Sequence, residues 1–157
     1  TLAGQTAPDF KGAIGVTSTD VQGVDITVPV FTFTRRLVID DTLMTDAYID
    51  DIFTLTGTVN DAVWGVYALG EVLFLGAGGV KRGDETGWDL TFKFTAQPNK
   101  TGLVVGEITG IDKKGWEYLW VQYADIEHVA SKSIIKKPIN VKVEQVYELT
   151  DFGLLNL

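Results

Sequence analysis

The period of apolar and polar positions changes along the chain, and each change marks an element. Trp88 to Thr95 alternates cleanly, with Trp88, Leu90, Phe92 and Phe94 on one side and Asp89, Thr91, Lys93 and Thr95 on the other. Successive side chains of a strand point to opposite faces, so this pattern predicts a half-buried β-strand. Val24 to Ile39 is rich in Val, Ile, Phe and Thr and is equally β-prone. Pro29 sits inside it and cannot donate to a central ladder, which predicts an edge strand or a break there. Between Asp40 and Thr56 the period lengthens: Met44, Tyr48, Ile49, Ile52, Phe53 and Leu55 recur at three- and four-residue steps. That spacing predicts an amphipathic helix over about 45–56, with Thr45 or a nearby Asp at its start and Gly57 at its end.

Beyond the helix the chain returns to β. Glu71 to Ala77 reads as a buried strand, and Gly76, Gly78, Gly79, Gly83 and Gly87 read as a long glycine-rich loop leading into the Trp88 strand. Leu103 to Ile111 supplies a short strand or two. Trp116 to Tyr123 is apolar on both sides, with Trp116, Tyr118 and Trp120 on one and Leu119, Val121 and Tyr123 on the other. Such a strand is buried on both faces or gives one face to a subunit contact. Ser133 to Lys137 and Asn140 to Leu149 read as two strands around Pro138, and the apolar tail Phe152 to Leu157 as a docked end. Residues 1–23 read as an extended arm with one short strand at Ala13 to Thr17, and residues 24–157 as a single domain. The fold class expected is mainly β: an antiparallel sandwich or barrel with one flanking α-helix.

Composition narrows the function classes. A chain of 157 residues fills one ordinary domain. Its net charge of −8 argues against general nucleic-acid binding by phosphate neutralisation. No apolar run approaches the roughly 20 residues of a membrane span. The absence of cysteine excludes disulfides, thiolate catalysis and thiolate metal sites. The chain begins at Thr1 rather than Met, which predicts a processed terminus or a piece of something longer.

The candidate chemistry is thin. His128 is the single histidine, with Asp125 and Ser131 close in sequence, but the members of a catalytic triad rarely lie so near one another along the chain. Asp40, Asp41, Asp46, Asp50 and Asp51 do not follow the order of a calcium loop and read as a solvated helix face. Gly76 to Gly83 fails the phosphate-loop pattern, because Arg82 follows Lys81 where Ser or Thr is needed. Asn99-Lys100-Thr101 is formally a glycosylation sequon. Trp64, Trp88, Trp116 and Trp120, with Tyr67, Tyr118 and Tyr123, suit either a core or a sugar-stacking platform. No catalytic residue, cofactor or metal ligand is assigned. The acidic helix region and the basic Lys132, Lys136, Lys137 and Lys142 are opposed patches of the sort that self-assembly uses. The interface residues expected are Lys81 and Arg82, the aromatics Trp116, Tyr118 and Trp120, and Lys136 and Lys137.

Two blocks carry a resemblance: GTVNDAVWGVYALGEVLFLGAGGVKRGDETGWDLTFKFTAQPN (Gly57 to Asn99) and GEITGIDKKGWEYLWVQYAD (Gly106 to Asp125). With QTAPDFKGAIGV near the start, they resemble uncharacterised phage-like and virion structural proteins. The order of strand, helix, long-looped hairpin and further strands is similar to that of phage tail-tube proteins. The resemblance implies a non-enzymatic virion component made in the bacterial cytoplasm. It also implies partners that are copies of itself, in hexameric rings or stacks, and other virion proteins. Its relatives extend further at the N-terminus, which implies a C-terminal portion. A carbohydrate-binding β-sandwich, a minor capsid, neck or decoration protein, and, third, a hydrolase are the competing expectations.

Overall fold

The structure, a computed structural model, describes residues 13–16, 21–23, 30–83 and 86–157. Val24 to Pro29, most of the arm and Thr17 lie outside the described residues. The fold is mainly β, with strands in three sheets, one α-helix and no closed barrel among the described residues. Eleven strands are described: β1 (Ala13–Val16), β2 (Val21–Gly23), β3 (Phe31–Ile39), β4 (Val59–Asn60), β5 (Val72–Lys81), β6 (Trp88–Ala96), β7 (Lys100–Val105), β8 (Ile108–Lys113), β9 (Tyr118–His128), β10 (Ser133–Glu144) and β11 (Leu149–Thr150). The helix is α1 (Asp46–Leu55), and a short 3₁₀ turn covers Phe152–Leu155.

The chain divides into two compact units, interleaved in sequence, where the sequence reading has one arm and one domain. The larger holds Pro29–Asn99, Lys114–Trp116 and Tyr147–Leu157. Its sheet runs β11-β4-β5-β6-β3, antiparallel except where β11 meets β4. The expected alternation of β6 holds as far as Phe94: Leu90, Phe92 and Phe94 are buried and Lys93 is exposed, but Thr95, expected on the polar side, is buried beside Thr32. With Val72 and Phe74 of β5 they form the core, which Tyr48 and Leu55 of α1 and Phe152 and Leu155 of the tail close. Burial of each such side chain contributes about 1.5–3 kcal/mol.

The helix forms where its period predicts. Thr45 is the N-cap, its hydroxyl accepting from the Tyr48 N–H at 3.2 Å, and Gly57 follows the C-cap at φ +84°. Phe53, placed on the apolar face by its spacing, is exposed. Two further readings change. The ladder of β5 with β6 continues to the pair Lys81 and Trp88, so Gly76, Gly78 and Gly79 are strand residues rather than loop. Gly76 marks a bulge at φ +116°, a conformation open to glycine, and the register shifts there.

The other unit holds Lys100–Lys113 and Glu117–Val146, with β1 and β2 added to its sheet in the order β10-β9-β1-β2. The hairpin β7–β8 and strand β9 share a second core of Val105, Ile111, Leu119 and Val121. The two strands expected around Pro138 are one strand, β10, carrying a bulge between Pro138 and Asn140. Proline is tolerated because β10 is an edge strand and the bulge absorbs the missing donor. Strand β1 pairs parallel with β9, so this sheet is mixed.

Candidate functional site

Strand β3 is exposed along most of its length. It is nine residues long, is the edge of the five-stranded sheet among the described residues, and pairs in unbroken register with β6 from Phe31 opposite Ala96 to Ile39 opposite Trp88. Thr32, Thr34, Arg36 and Val38 are exposed on one face. The opposite face carries Phe33, Arg35 and Leu37, which are half-buried, and Phe31, which is 61 % exposed. Natural edges are blunted by proline, by a bulge, by brevity or by charged side chains, and of these β3 itself carries only the charges Arg35 and Arg36.

Beside β3 the chain builds an aromatic face. Phe33 stacks on Tyr67 at 5.4 Å and on Phe94 at 5.4 Å, and Trp64 packs against Phe94 at 4.8 Å. The Arg35 guanidinium lies 4.2 Å from the Trp64 ring centroid, a cation–π contact that holds it on this face. A cleft of ≈ 300 Å³ opens at the start of β3, between Val30, Phe31, Tyr67, Ala96 and Pro98. Its walls are apolar apart from Glu71 and Gln97. Both Glu71 carboxylate oxygens are engaged, by the Ala68 and Asn99 N–H groups at 2.9 Å each.

Buried and part-buried amides fix the loop that presents Trp64 and Tyr67. Asn60 donates to the carbonyls of Ala62 and Ala68 and accepts from the Val72 N–H, at 2.7, 2.8 and 2.8 Å. Asn99 donates to Leu69 O at 3.0 Å and accepts from the Gly115 N–H at 2.7 Å. The polar capacity of these side chains goes into the scaffold.

The seven expected interface residues divide between the units. Lys81, Arg82 and Trp116 belong to the larger, and Tyr118, Trp120, Lys136 and Lys137 to the other. Trp116 precedes β9, so it does not share a strand face with Tyr118 and Trp120. Its indole N–H donates to Glu71 O at 2.9 Å, and its ring meets Tyr147 edge-on at 6.1 Å. Trp120 is half-buried, and its indole nitrogen is buried without a hydrogen-bond partner among the described residues. Lys81 pairs with Asp41 at 3.1 Å, and Arg82 closes the hairpin through its N–H to Gly87 O at 2.9 Å. Lys136 pairs with Asp125 at 3.0 Å, Lys137 with Glu107 at 2.7 Å and Lys142 with Glu144 at 3.5 Å. These local pairs neutralise much of the basic patch that the sequence suggests.

The catalytic and metal candidates also resolve into local roles. His128 Nδ1 lies 2.9 Å from Ser131 Oγ in the exposed turn between β9 and β10, while Asp125 is held by Lys136. Nucleophile, base and orienter are therefore not aligned as a triad. Asp40 accepts from the Thr42 N–H and hydroxyl, which lowers its carboxyl below the usual range. Among the described residues, no group of three His, Asp or Glu side chains converges as a metal site would. Two perturbed groups sit in the smaller unit, where burial lowers Lys113 and raises Tyr123. No helix among the described residues is long and apolar enough to cross a membrane. Comparison with protein-family models, curated proteins and solved structures finds no match to this chain.

Phe31 and Phe33 stand out in the sequence as strand formers and Tyr67 as one of an aromatic set, but Arg35 was not joined to them as one surface. The signal was the alternation Phe-Thr-Phe-Thr-Arg-Arg-Leu, which leaves an aromatic and a cation on one face of a strand that also ends a sheet.

Proposed function

We propose that this chain is a non-enzymatic structural subunit that assembles with copies of itself, as components of virions and phage-like particles do. A tail-tube-like ring or stack is its most concrete form. The supporting observation is β3, a nine-residue edge strand with exposed Val30 and Phe31 at one end and Val38 at the other. An edge of that length is a template for pairing with another chain, and exposed apolar groups along it favour burial on association. The polar side chains around it are committed to internal hydrogen bonds, which suits a rigid docking surface better than a reaction centre.

The test is the state of the purified protein in solution. Light scattering over a wide concentration range is expected to show species larger than 17.2 kDa, and electron microscopy to show rings, stacks or other regular particles. A monomer at every concentration, with no particle in micrographs, refutes the proposal.

A further inference from the structure

The order of side chains along β3 fixes what pairs with it. Two copies of one strand joined antiparallel across a sheet edge are related by a two-fold axis perpendicular to the sheet. One residue then faces its own copy, and its neighbours face each other symmetrically about it. Each face of one sheet runs on into the same face of the other. The only freedom left is which residue lies on the axis.

The choices are few. Centring the pair on Arg35 or on Arg36 sets two guanidinium groups directly opposite each other, which is destabilising. Centring it on Phe33 faces the apolar Val30 with the charged Arg36 and Phe31 with Arg35, and sets Leu37 to Ile39 beyond the described residues of the facing strand. Centring it on Thr34 faces Thr34 with Thr34, Phe33 with Arg35, Thr32 with Arg36, Phe31 with Leu37 and Val30 with Val38. No like charges are then opposed, a cation lies beside a ring, and two hydroxyls meet. The exposed apolar residues Val30, Phe31 and Val38 all gain apolar partners. This register also brings Leu37 and Val38 of the second copy to the end of β3 that lines the apolar cleft.

We infer that β3 pairs antiparallel with β3 of a second copy, centred on Thr34, joining the two five-stranded sheets into one continuous sheet. The inference rests on the self-assembly reading and names its contact. The building unit is a two-fold dimer, and a ring of six made from it is three dimers. Such a contact is self-complementary and closes on itself, so growth beyond the dimer needs a second surface.

The chain has no cysteine, so single-cysteine variants report the register without background. Thr32, Thr34 and Arg36 are all exposed on the same face. In the centred pair, the two Thr34 positions lie about 4.5–5.5 Å apart, within reach of a disulfide. The two Thr32 positions, and likewise the two Arg36 positions, are offset by four residues, roughly 13 Å along the strand, beyond any disulfide. Under mild oxidation Thr34→Cys is expected to give about tenfold more covalent dimer than Thr32→Cys or Arg36→Cys alone. A mixture of those last two variants is expected to cross-link to each other. Circular dichroism confirms that each variant is folded. Particles larger than a monomer without preferential Thr34 cross-linking overturn this register while leaving self-assembly standing. Cross-linking strongest at Thr32 or Arg36 overturns it in favour of another register. A wild-type monomer at all concentrations overturns both.

Discussion

Replacing Asn60 with alanine tests whether the loop carrying Trp64 and Tyr67 is held by one buried amide. Asn60 is only 1 % exposed and makes three side-chain hydrogen bonds, two to carbonyls within its own loop and one from the N–H that starts β5. Alanine leaves the Val72 N–H without its partner inside a completely buried residue, at about 1–3 kcal/mol. The carbonyls of Ala62 and Ala68 belong to exposed residues and regain water, so each costs the smaller net value of about 0.5–1.5 kcal/mol. The total is about 2–6 kcal/mol, a large part of the stability of an ordinary domain. With a urea slope of about 2 kcal/mol/M, the midpoint falls by about 1–3 M. Urea unfolding followed by tryptophan fluorescence measures it. Thr54→Ala, an exposed helix position, is the control and is expected to stay within about 0.5 kcal/mol of wild type. An Asn60→Ala midpoint indistinguishable from that control refutes the reasoning, because the three bonds then contribute nothing that water does not replace.

The remaining predictions concern the helix, a turn and a phenol. Thr45→Ala removes the N-cap acceptor of α1 and is expected to cost about 1 kcal/mol in the same titration, whereas Thr45→Ser keeps it. Gly115→Ala sets a Cβ 1.9 Å from the Gln97 carbonyl oxygen, so the turn must move; loss of more than about 3 kcal/mol or failure to accumulate as soluble protein is expected, and a wild-type melting curve contradicts it. Tyr48 donates its hydroxyl to Leu155 O at 2.8 Å, and burial, followed by the charge of Asp51, raises its pKa above 10.0. In that window the folded state keeps a proton that the unfolded state loses, so the stabilisation is complete below pH 10 and disappears as pH rises through the folded-state value. Tyr48→Phe is therefore expected to be about 1 kcal/mol less stable near neutrality, with the difference from wild type shrinking in alkaline unfolding titrations.

Where the energy is local, the elements were legible in the sequence. The helix followed from a 3.6-residue period with Thr45 before it and Gly57 after it, and β6 from strict alternation between Trp88 and Thr95. The glycines after Leu75 were misread because composition cannot tell a mobile loop from a strand in which a bulge needs positive φ; cross-strand pairing with β6 decides it. Pro138 was misread as a break because its tolerance depends on β10 being an edge, a property of the whole sheet. Trp116 was grouped with Tyr118 and Trp120 by spacing, yet its indole N–H is drawn to Glu71, 45 residues away. The candidate site was half legible for the same reason. Phe31 and Phe33 announce a strand, but their nearness to Tyr67, and that of Arg35 to Trp64, depends on a loop held by Asn60.

The interleaving of the two units bears on the order in which the protein can mature during synthesis. The core around Phe74, Phe92 and Phe94 is begun by residues translated early, but Phe152 and Leu155 complete it, and Tyr48 waits for a carbonyl 107 residues downstream. The ribosome makes every strand of the other unit before it delivers that tail. The nascent chain therefore carries the larger unit open, with its aromatic face unsealed, until synthesis passes Leu155. In a crowded polysome many such chains stand side by side, and late closure of the core delays the rigid edge until Phe152 and Leu155 have been made.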